Sequence, residues 1–247
     1  MKASIIIPSF KRAELLKWGL KCIRQQKVDF DYEIIVLNDG IEDDTEKVCK
    51  EYKAEYHFTG QRNTNGLVWR CPGPVINKGA SIARSGIFVL AVPEMYLAQN
   101  NILQSLVSAV EANERVIAIT QGYDDTGGRF LEHINKGGEW QNSDQSALVN
   151  LHTEYPFFMC LSRQAFNEVR GYDVEGFSNG IGFDDTDFIL RLRQKYYTYV
   201  KYQGLSVVHL YHDRHSRQGL DFIKQQELFE INKNYYLSKH GGGQGVK

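Results

Sequence analysis

Short apolar runs alternate with segments of helical spacing as far as residue 92, and this alternation restricts the fold more than any other feature. The predicted strands are Ser4–Pro8, Tyr32–Leu37, Glu55–Thr59 and Ile87–Val92. The predicted helices are Ala13–Gln26, Asp43–Tyr52 and Asn77–Arg84. Strands buried on both faces are apolar throughout, and strand–helix alternation favours a mostly parallel sheet flanked by helices. The sequence therefore predicts an α/β fold.

Polar residues follow three of the predicted strands where each strand ends. These exits are Pro8-Ser9, Asn38-Asp39 and Pro93-Glu94. Ligands of open α/β sheets bind in the crevice beyond the carboxyl ends of the strands. We therefore expect the three exits to meet at one binding crevice.

The second half of the chain mixes the two patterns. The predicted helices are Asn101–Ala112, Gln164–Val169, Thr186–Gln194 and an amphipathic Gly219–Ser238, and the predicted strands are Val116–Gln121, Tyr155–Leu161 and Leu205–Leu210. Gly122–Asn150 is polar and rich in Gly, Asp and Asn, which predicts a long loop of the kind that is usually functional or mobile. Gly241–Lys247 is Gly-rich and is predicted to be a flexible tail.

Composition argues against several classes of protein. The formal charge of −1 creates no overall field that would attract nucleic acid or an anionic membrane. The longest apolar runs are far shorter than the roughly 20 residues of a membrane-spanning helix, and no signal-peptide pattern begins the sequence. The four cysteines are widely spaced, which favours reduced thiols. The expectation is a cytoplasmic protein without an integral membrane segment.

Two common nucleotide-binding motifs are absent. No Gly-x-Gly-x-x-Gly follows the first strand, and no Walker-type Gly-x-x-x-x-Gly-Lys-Ser/Thr occurs. Dinucleotide-dependent hydride transfer and P-loop chemistry therefore lack their usual sequence support.

Three aspartates, Asp184, Asp185 and Asp187, lie at the predicted start of an apolar helix. A single aspartate there could cap the helix by accepting backbone N–H bonds, but three exceed that need. Packed carboxylates repel one another, so they require a cation, an arginine or a raised pKa. Arg191, one turn further on, could supply the arginine. Capping and a functional role both remain open.

Glu94 and two histidines are candidate metal ligands. His209 and His212 follow the last predicted strand, where alternation predicts that only one of them faces the crevice. A histidine at such a place can equally be a surface residue or a hydrogen-bonded one. Glu94 leaves a buried strand and could bind a hard cation, or it could be a solvated loop residue.

Four segments in order resemble family 2 glycosyltransferases with the GT-A type nucleotide-sugar fold. The matching segments are Ser4–Arg12, Glu33–Gly40, Asn77–Gly86 and Gly171–Arg191, the last with its Gly-Phe-Asp-Asp-Thr-Asp sequence. The resemblance spans roughly residues 3–215. It implies a nucleotide-sugar-binding half at 1–95, with the acceptor-binding and catalytic half, including a smaller acceptor-side subdomain, at 96–240.

The resemblance also implies roles for individual residues. Asp185 corresponds to the general base of inverting members, and Asp184 replaces the family's glutamate. The implied donor-binding residues are Pro8, Ser9, Arg12, Asp39, Asn77 and Arg84. Mn²⁺ or Mg²⁺ is implied, held by Glu94 and a late histidine, with His212 slightly preferred over His209. The family's Asp-x-Asp is missing here, where Ala91–Met95 carries Glu94 alone.

The resemblance implies transfer of a sugar from a nucleotide-sugar donor, expected to be a UDP-sugar, to an acceptor hydroxyl. A nucleotidyltransferase and a catalytically silent sugar-nucleotide- or glycan-binding module remain alternatives. The acceptor could be a carbohydrate, a lipid-linked glycan, a protein or modified nucleic acid. Five aromatic residues could stack on a sugar or base, or pack in the core: Trp69, Trp140, Tyr155, Phe157 and Phe158.

Overall fold

The computed structural model describes residues 1–60, 71–152, 157–195, 197–212 and 222–241. The strands are β1 Ala3–Ser9, β2 Tyr32–Asn38, β3 Glu55–Phe58, β4 Ile87–Ala91, β5 Met95–Leu97, β6 Val116–Asp124, β7 Val149–Leu151, β8 Phe158–Ser162 and β9 Thr198–His209. The helices are α1 Ala13–Arg24, α2 Thr45–Glu51, α3 Gly73–Ile82, α4 Ile102–Ala112, α5 Arg129–Asn135, α6 Arg163–Glu168, α7 Val174–Phe177, α8 Asp184–Gln194 and α9 Phe222–His240.

The strands of the described residues form one sheet in the order β3-β2-β1-β4-β8-β6-β9-β5, and β7 pairs with β6. β1 lies parallel to β2 and β4, β2 to β3, and β6 to β9. β8 is antiparallel to both β4 and β6, so those two strands run the same way. This confirms the predicted α/β fold with a mostly parallel sheet. The carboxyl ends of β1, β2, β4, β6 and β9 therefore share one edge.

Alternate residues of β1 face opposite sides of the sheet and bury two separate cores. Ile5 and Ile7 lie in one cluster with apolar residues of α1, α2 and α4. Ile6 lies in the other cluster, with apolar residues of α3, α6 and α8. Because strand side chains alternate, the apolar run Ile5–Ile7 of β1 must be covered on both faces of the sheet, and it is.

Gly79 allows α3 to lie close to the sheet. A Cβ at this position would be 2.5 Å from Cγ2 of Ile6 and 2.9 Å from Cδ1 of Leu37. Both distances are shorter than a carbon–carbon contact allows. The glycine therefore sets the distance between α3 and the strands that end at the crevice.

The prediction that Gly122–Asn150 is a loop was wrong. β6 continues to Asp124, α5 and β7 follow, and two short 3₁₀ helices occupy Trp140–Asn142 and Gln145–Ala147. Phe130, Ile134 and Trp140 are buried in a third apolar cluster. The segment is polar on average, but these few apolar residues are enough to fold it onto the sheet.

Other predicted elements have the right type with different bounds. α3 begins at Gly73 rather than Asn77, α8 begins at Asp184 rather than Thr186, and β9 begins at Thr198 rather than Leu205. The short strand β5 was not predicted. The predicted start of the last helix at Gly219 lies outside the described residues, as do residues 242–247 of the predicted tail.

Two expectations drawn from composition can be compared with the structure. All four cysteines are buried and unbridged. Among the described residues, no helix combines the length and apolar character that crossing a bilayer requires.

Gly79→Ala should lower the free energy of unfolding, because the added methyl group overlaps Ile6 and Leu37. Overpacking of this kind costs about 1–3 kcal/mol, against a gain of about 1 kcal/mol in helix propensity. Urea unfolding measures the difference. Gly86→Ala is the control, because a Cβ there meets no atom within 4 Å. Equal stabilities for the two variants would contradict the close approach.

Candidate functional site

A cavity of about 210 Å³ lies at the carboxyl edge of the sheet. Its lining residues are Pro8, Ser9, Phe10, Arg12, Asp39, Pro72, Val75, Val92, Pro93, Glu94 and His212. All three strand exits predicted to meet are represented in this lining. The crevice expected from the strand order is therefore present.

One wall of the cavity carries polar groups of the β1 and β2 exits. Ser9 is buried, and its Oγ has no hydrogen-bond partner among the described residues. The buried Asp39 accepts a hydrogen bond from Oγ1 of Thr59 at 2.9 Å, and its backbone N–H donates to the Ser9 carbonyl at 2.8 Å. A buried hydroxyl without a partner is costly, and a bound polar ligand would remove that cost.

Glu94, His209 and His212 form a candidate metal centre. One ligand atom of each lies within 4.8 Å of the others. Backbone pairing accounts for part of this arrangement, because the N–H of Leu210 donates to the Glu94 carbonyl at 2.9 Å and β9 pairs with β5. A carboxylate and two imidazoles are a donor set that suits Mn²⁺ or another divalent cation. These residues therefore fit the implied metal.

Only His212 of the two histidines is among the described residues that line the cavity, as expected, but both belong to the candidate metal centre. Strict alternation ends with β9 at His209, and His212 lies beyond the strand. The two imidazole rings meet edge to face, with centroids 5.1 Å apart. The alternation of side chains along a strand does not continue past its last paired residue. Both histidines can therefore belong to the candidate metal centre.

Asp124 orients His209 and was not singled out in the sequence. It lies at the end of β6, and its Oδ1 is 2.9 Å from Nδ1 of His209. Phe157 stacks on the other side, with its ring centroid 4.3 Å from that of His209. Carboxylate partners of this kind fix the tautomer and the ring orientation of metal-binding histidines. With Nδ1 facing Asp124, Nε2 is the nitrogen that can bind a metal.

Arg12 places a positive charge beside the candidate metal centre. Its Nε donates to Oε1 of Glu94 at 2.5 Å, and one terminal nitrogen is 3.2 Å from Nδ1 of His212. The arginine is 6% exposed, so solvent screens this ion pair little. A buried guanidinium at a cavity wall can bind phosphate oxygens.

Asp184 and Asp185 begin α8 next to the α3 wall of the cavity. Cys71, the neighbour of cavity-lining Pro72, donates from Sγ to the carbonyl of Gly180 at 3.5 Å. Asp184 is buried, and its Oδ2 has no hydrogen-bond partner in the described part of the chain. Asp185 accepts a 2.9 Å hydrogen bond from the Tyr172 hydroxyl.

The two neighbouring carboxyls both titrate above the usual range for aspartate. Burial raises the pKa of Asp184, and the charge of Asp185 raises it further. Burial also raises the pKa of Asp185, while the Tyr172 hydroxyl acts in the opposite direction. A carboxyl with a raised pKa is a stronger base once ionised, which suits proton abstraction.

Arg191 pairs with Asp187 rather than with this carboxyl pair. Nε of Arg191 donates to Oδ2 of Asp187 at 2.7 Å, and the arginine also donates to the carbonyls of Val169 and Gly171. The predicted arginine partner is therefore found, at the third aspartate of the cluster.

Two residues expected to bind the donor are engaged elsewhere. The side chain of Asn77 exchanges two 2.9 Å hydrogen bonds with the backbone of Tyr172. Arg84 lies at the amino end of the strands, 2.5 Å from Glu33, and it also pairs with Glu55. Arg84 is therefore at the opposite edge of the sheet from the cavity. The Asn77 amide fixes the turn beside Asp185.

Three of the five aromatic candidates fall within the described residues. Trp140 and Phe158 are buried in the core, and Phe157 stacks on His209. Trp69 and Tyr155 lie outside the described residues.

The family model described as "Glycosyl transferase family 2" matches residues 4–170. This is more than half of the 247 residues, so the chain belongs to glycosyltransferase family 2. The resemblance inferred from the four sequence segments is thereby confirmed.

Solved structures of similar fold support the GT-A type architecture. The mannosyltransferase PcManGT from Pyrobaculum calidifontis, in complex with GDP-Man and Mn²⁺, has a TM-score of 0.62 and 13% identity, covering 100% of this chain and 66% of that one. S. aureus TarS 1-349, in complex with UDP-GlcNAc, has a TM-score of 0.62 and 14% identity, covering 96% of this chain and 67% of that one. At such identities the likeness concerns the fold.

Curated relatives match over shorter stretches. The uncharacterized glycosyltransferase YfnE of Bacillus subtilis (strain 168) is 29% identical over 119 residues, which are 47% of this chain and 29% of that protein. Chondroitin synthase of Escherichia coli is 39% identical over 51 residues, 21% of this chain and 7% of that protein. The chain thus matches less than a third of the length of either relative.

Asp124→Asn should weaken Mn²⁺ binding by about 10- to 100-fold, because it removes the carboxylate that orients His209. Isothermal titration with Mn²⁺ measures the affinity. Asp125→Asn is the matched control, because Asp125 instead accepts hydrogen bonds from the backbone at the start of α5. An unchanged affinity in Asp124→Asn would contradict the orienting role.

Proposed function

We propose that this chain is the catalytic domain of an inverting glycosyltransferase that moves a sugar from a nucleoside diphosphate donor to an acceptor hydroxyl. The observation that carries the proposal is the cavity at the carboxyl edge of the sheet. Its lining brings together Asp39, Glu94, His212 and Ser9, whose hydroxyl has no hydrogen-bond partner within the described part of the chain. This arrangement suits a ligand with a polar nucleoside at one end and a charged diphosphate at the other.

The donor is proposed to be a nucleotide sugar held along this cavity. Asp39 would accept hydrogen bonds from the base or ribose, and Phe10 and Val75 offer apolar surface in the same lining. The similar structures PcManGT and TarS are complexes with GDP-Man and UDP-GlcNAc, which supports a donor of this class. A UDP-sugar, the donor expected from the sequence, is the first donor to test.

Glu94, His209 and His212 would hold Mn²⁺ or Mg²⁺ beside the donor diphosphate. The bound cation would supply positive charge for the leaving nucleoside diphosphate. Arg12 is a second positive group at the same place, and its ion pair with Glu94 keeps the guanidinium directed at the cavity wall. One carboxylate in place of Asp-x-Asp is thus accompanied by two imidazoles and an arginine.

Asp185 is proposed as the general base that removes the proton of the acceptor hydroxyl. Direct displacement at the anomeric carbon requires the acceptor to approach opposite the leaving diphosphate, which gives inversion. Asp185 belongs to the segment next to the α3 wall, whereas the candidate metal ligands follow β4 and β9. The base and the cation would then lie on different sides of the sugar.

Asp185→Asn should lower the turnover number by about 10²- to 10⁴-fold, because it keeps the side-chain shape and deletes the base. UDP-GlcNAc and GDP-Man with Mn²⁺ serve as donors, and a panel of p-nitrophenyl glycosides serves as acceptors. Release of a nucleoside diphosphate reports transfer, whereas release of pyrophosphate from UTP in the presence of a sugar 1-phosphate would indicate a nucleotidyltransferase. Binding of UDP with Mn²⁺ should be unchanged in the variant.

A near wild-type rate in Asp185→Asn would refute its role as base. If the wild-type chain bound donor without any turnover, the silent binding module would be the correct interpretation instead.

Tyr172→Phe should shift the acidic limb of the kcat/KM profile to higher pH. Asp185 must be ionised to act, so activity falls as the pH drops through its pKa. The Tyr172 hydroxyl lowers that pKa, and its removal therefore raises it. Tyr199→Phe is the control, since the buried Tyr199 hydroxyl has no hydrogen-bond partner among the described residues. A limb that stays in place or moves to lower pH would contradict the assignment.

A further inference from the structure

The long helix α9 packs against the segment that carries Asp185. We call residues 173–187 the base segment; it contains α7, the Gly176–Gly182 turn and the first turn of α8. α9 contacts it at its beginning, middle and end, through Tyr235, Asn232 and His240. None of the cavity-lining residues that the structure describes belongs to α9. The helix therefore supports the proposed base without lining the donor cavity.

Asn232 ties three parts of the site together. Its side chain is fully buried, and Nδ2 lies 3.2 Å from the Phe177 carbonyl and 2.8 Å from the Gly182 carbonyl. The same nitrogen is 3.2 Å from Sγ of Cys71, which precedes α3. Buried amide donors that satisfy backbone carbonyls fix the backbone strongly, because the alternative is an unsatisfied group. Asn232 thus holds the chain just before Asp184 in place.

The backbone of the base segment lies directly on α9. A Cβ at Gly176 would overlap the ring of Tyr235, and the N–H of Ile181 donates to the Leu228 carbonyl of α9 at 3.0 Å. Phe183, which precedes the aspartate pair, packs against Phe229 of α9 at a centroid distance of 5.1 Å. A Cβ at Gly180 would lie 2.4 Å from the Leu228 carbonyl oxygen, so the two backbones are in contact there and a shift of α9 would move this segment with it.

The last turn of α9 binds the charged ends of the base segment. Oδ1 of the fully buried Asp187 is 2.8 Å from both Nζ of Lys239 and Nε2 of His240. Lys239 also lies 2.6 Å from Asp173, which accepts a 2.9 Å hydrogen bond from the Tyr235 hydroxyl. Lys239 therefore bridges the first and the last aspartate of the segment. The ion pairs of Lys239 thereby attach both ends of the base segment to α9.

We propose that α9 is a positioning element for Asp185, acting through Asn232 and Lys239 on acceptor transfer and not on donor binding. This inference rests on the proposed function, in which Asp185 is the base. Displacement of a base by about 1 Å can lower the turnover rate roughly 100-fold. The affinity for a donor bound in the cavity would not change, because the base does not contact it. Separate effects on turnover and on donor affinity distinguish positioning from general destabilisation.

Asn232→Leu and Lys239→Met are the test variants. Leucine keeps the size of Asn232 and favours helix, and it removes the three donor contacts. Methionine keeps the length of Lys239 and removes its charge, and Lys239→Arg restores the charge as the rescue variant. Lys233→Met is the control on the same helix, because Lys233 pairs with Glu230 across one turn and with no other acidic residue that the structure describes.

Three measurements are made on each variant. Hydrogen exchange reports the protection of amides in the base segment and, for comparison, of amides in β1. Titration with UDP and Mn²⁺ reports affinity at the donor cavity. Release of nucleoside diphosphate, with UDP-GlcNAc or GDP-Man as donor and water or a p-nitrophenyl glycoside as acceptor, reports turnover.

The expected result is faster exchange in the base segment, unchanged exchange in β1, unchanged affinity for UDP with Mn²⁺, and turnover lower by about 10- to 100-fold. Lys239→Arg should recover most of the turnover, and Lys233→Met should match the wild type. Unchanged turnover in both test variants would overturn the proposal. A parallel loss of UDP affinity and of β1 protection would also overturn it, because it would show a general loss of structure.

Asp185→Asn, tested beside these variants, separates the two hypotheses. If Asp185→Asn abolishes turnover and the α9 variants do not lower it, the positioning role is wrong and the proposed base stands. If Asp185→Asn retains turnover, the proposed base is wrong. Positioning of Asp185 then has no functional meaning, even where exchange in the base segment changes.

Discussion

The parallel pairing of β1 with β2 and β4 is the constraint on which the site depends. The register aligns Ser9 with Asn38, so the two chains leave the sheet side by side, and β4 leads to Glu94 at the same edge. Parallel strands require crossover helices, which cover both faces and favour apolar residues along the strands. Polar side chains of β1, β2 and the β4 exit that serve the site lie where these strands end. The same geometry that buries the sheet therefore gathers Ser9, Asp39 and Glu94 around one cavity.

Local sequence patterns correctly predicted those parts of the fold that depend on the conformational preferences of neighbouring residues. Strands such as Ser4–Pro8 are continuous apolar runs, and their exits are marked by polar residues, so both the α/β class and the crevice could be predicted. The loop prediction for Gly122–Asn150 failed because average polarity hides four apolar residues, Phe130, Ile134, Trp140 and Leu148, that bury this segment against distant strands. Such burial is a tertiary effect that overrides a loop-like composition.

Pairs of interacting side chains could be predicted only where the two residues are close in the sequence. Arg191 lies one helical turn from Asp187, and the ion pair between them forms as the spacing allows. Asp124 is 85 residues from His209, and only the pairing of β6 with β9 shows that they meet. Arg84 is an example of the opposite outcome. The family resemblance implied donor binding at this position, but α3 ends at the edge of the sheet opposite the cavity. Contacts across the sheet can be predicted only when the strand order is known, and the spacing of residues along the sequence does not give that order.

The three aspartates of α8 acquire different chemistry from their partners rather than from their type. Asp187 is fully buried, and its carboxylate pairs with Arg191 and Lys239 and contacts His240, so its charge is compensated. For Asp184 and Asp185 the described residues provide no cationic partner, and the raised pKa of each carboxyl follows from burial. Lys239 of α9 thus stabilises the end of the base segment and leaves the carboxyl pair at the start of α8 uncompensated. A carboxylate without a nearby cation is the better proton acceptor, which is why Asp185, and not Asp187, is suited to act as a base.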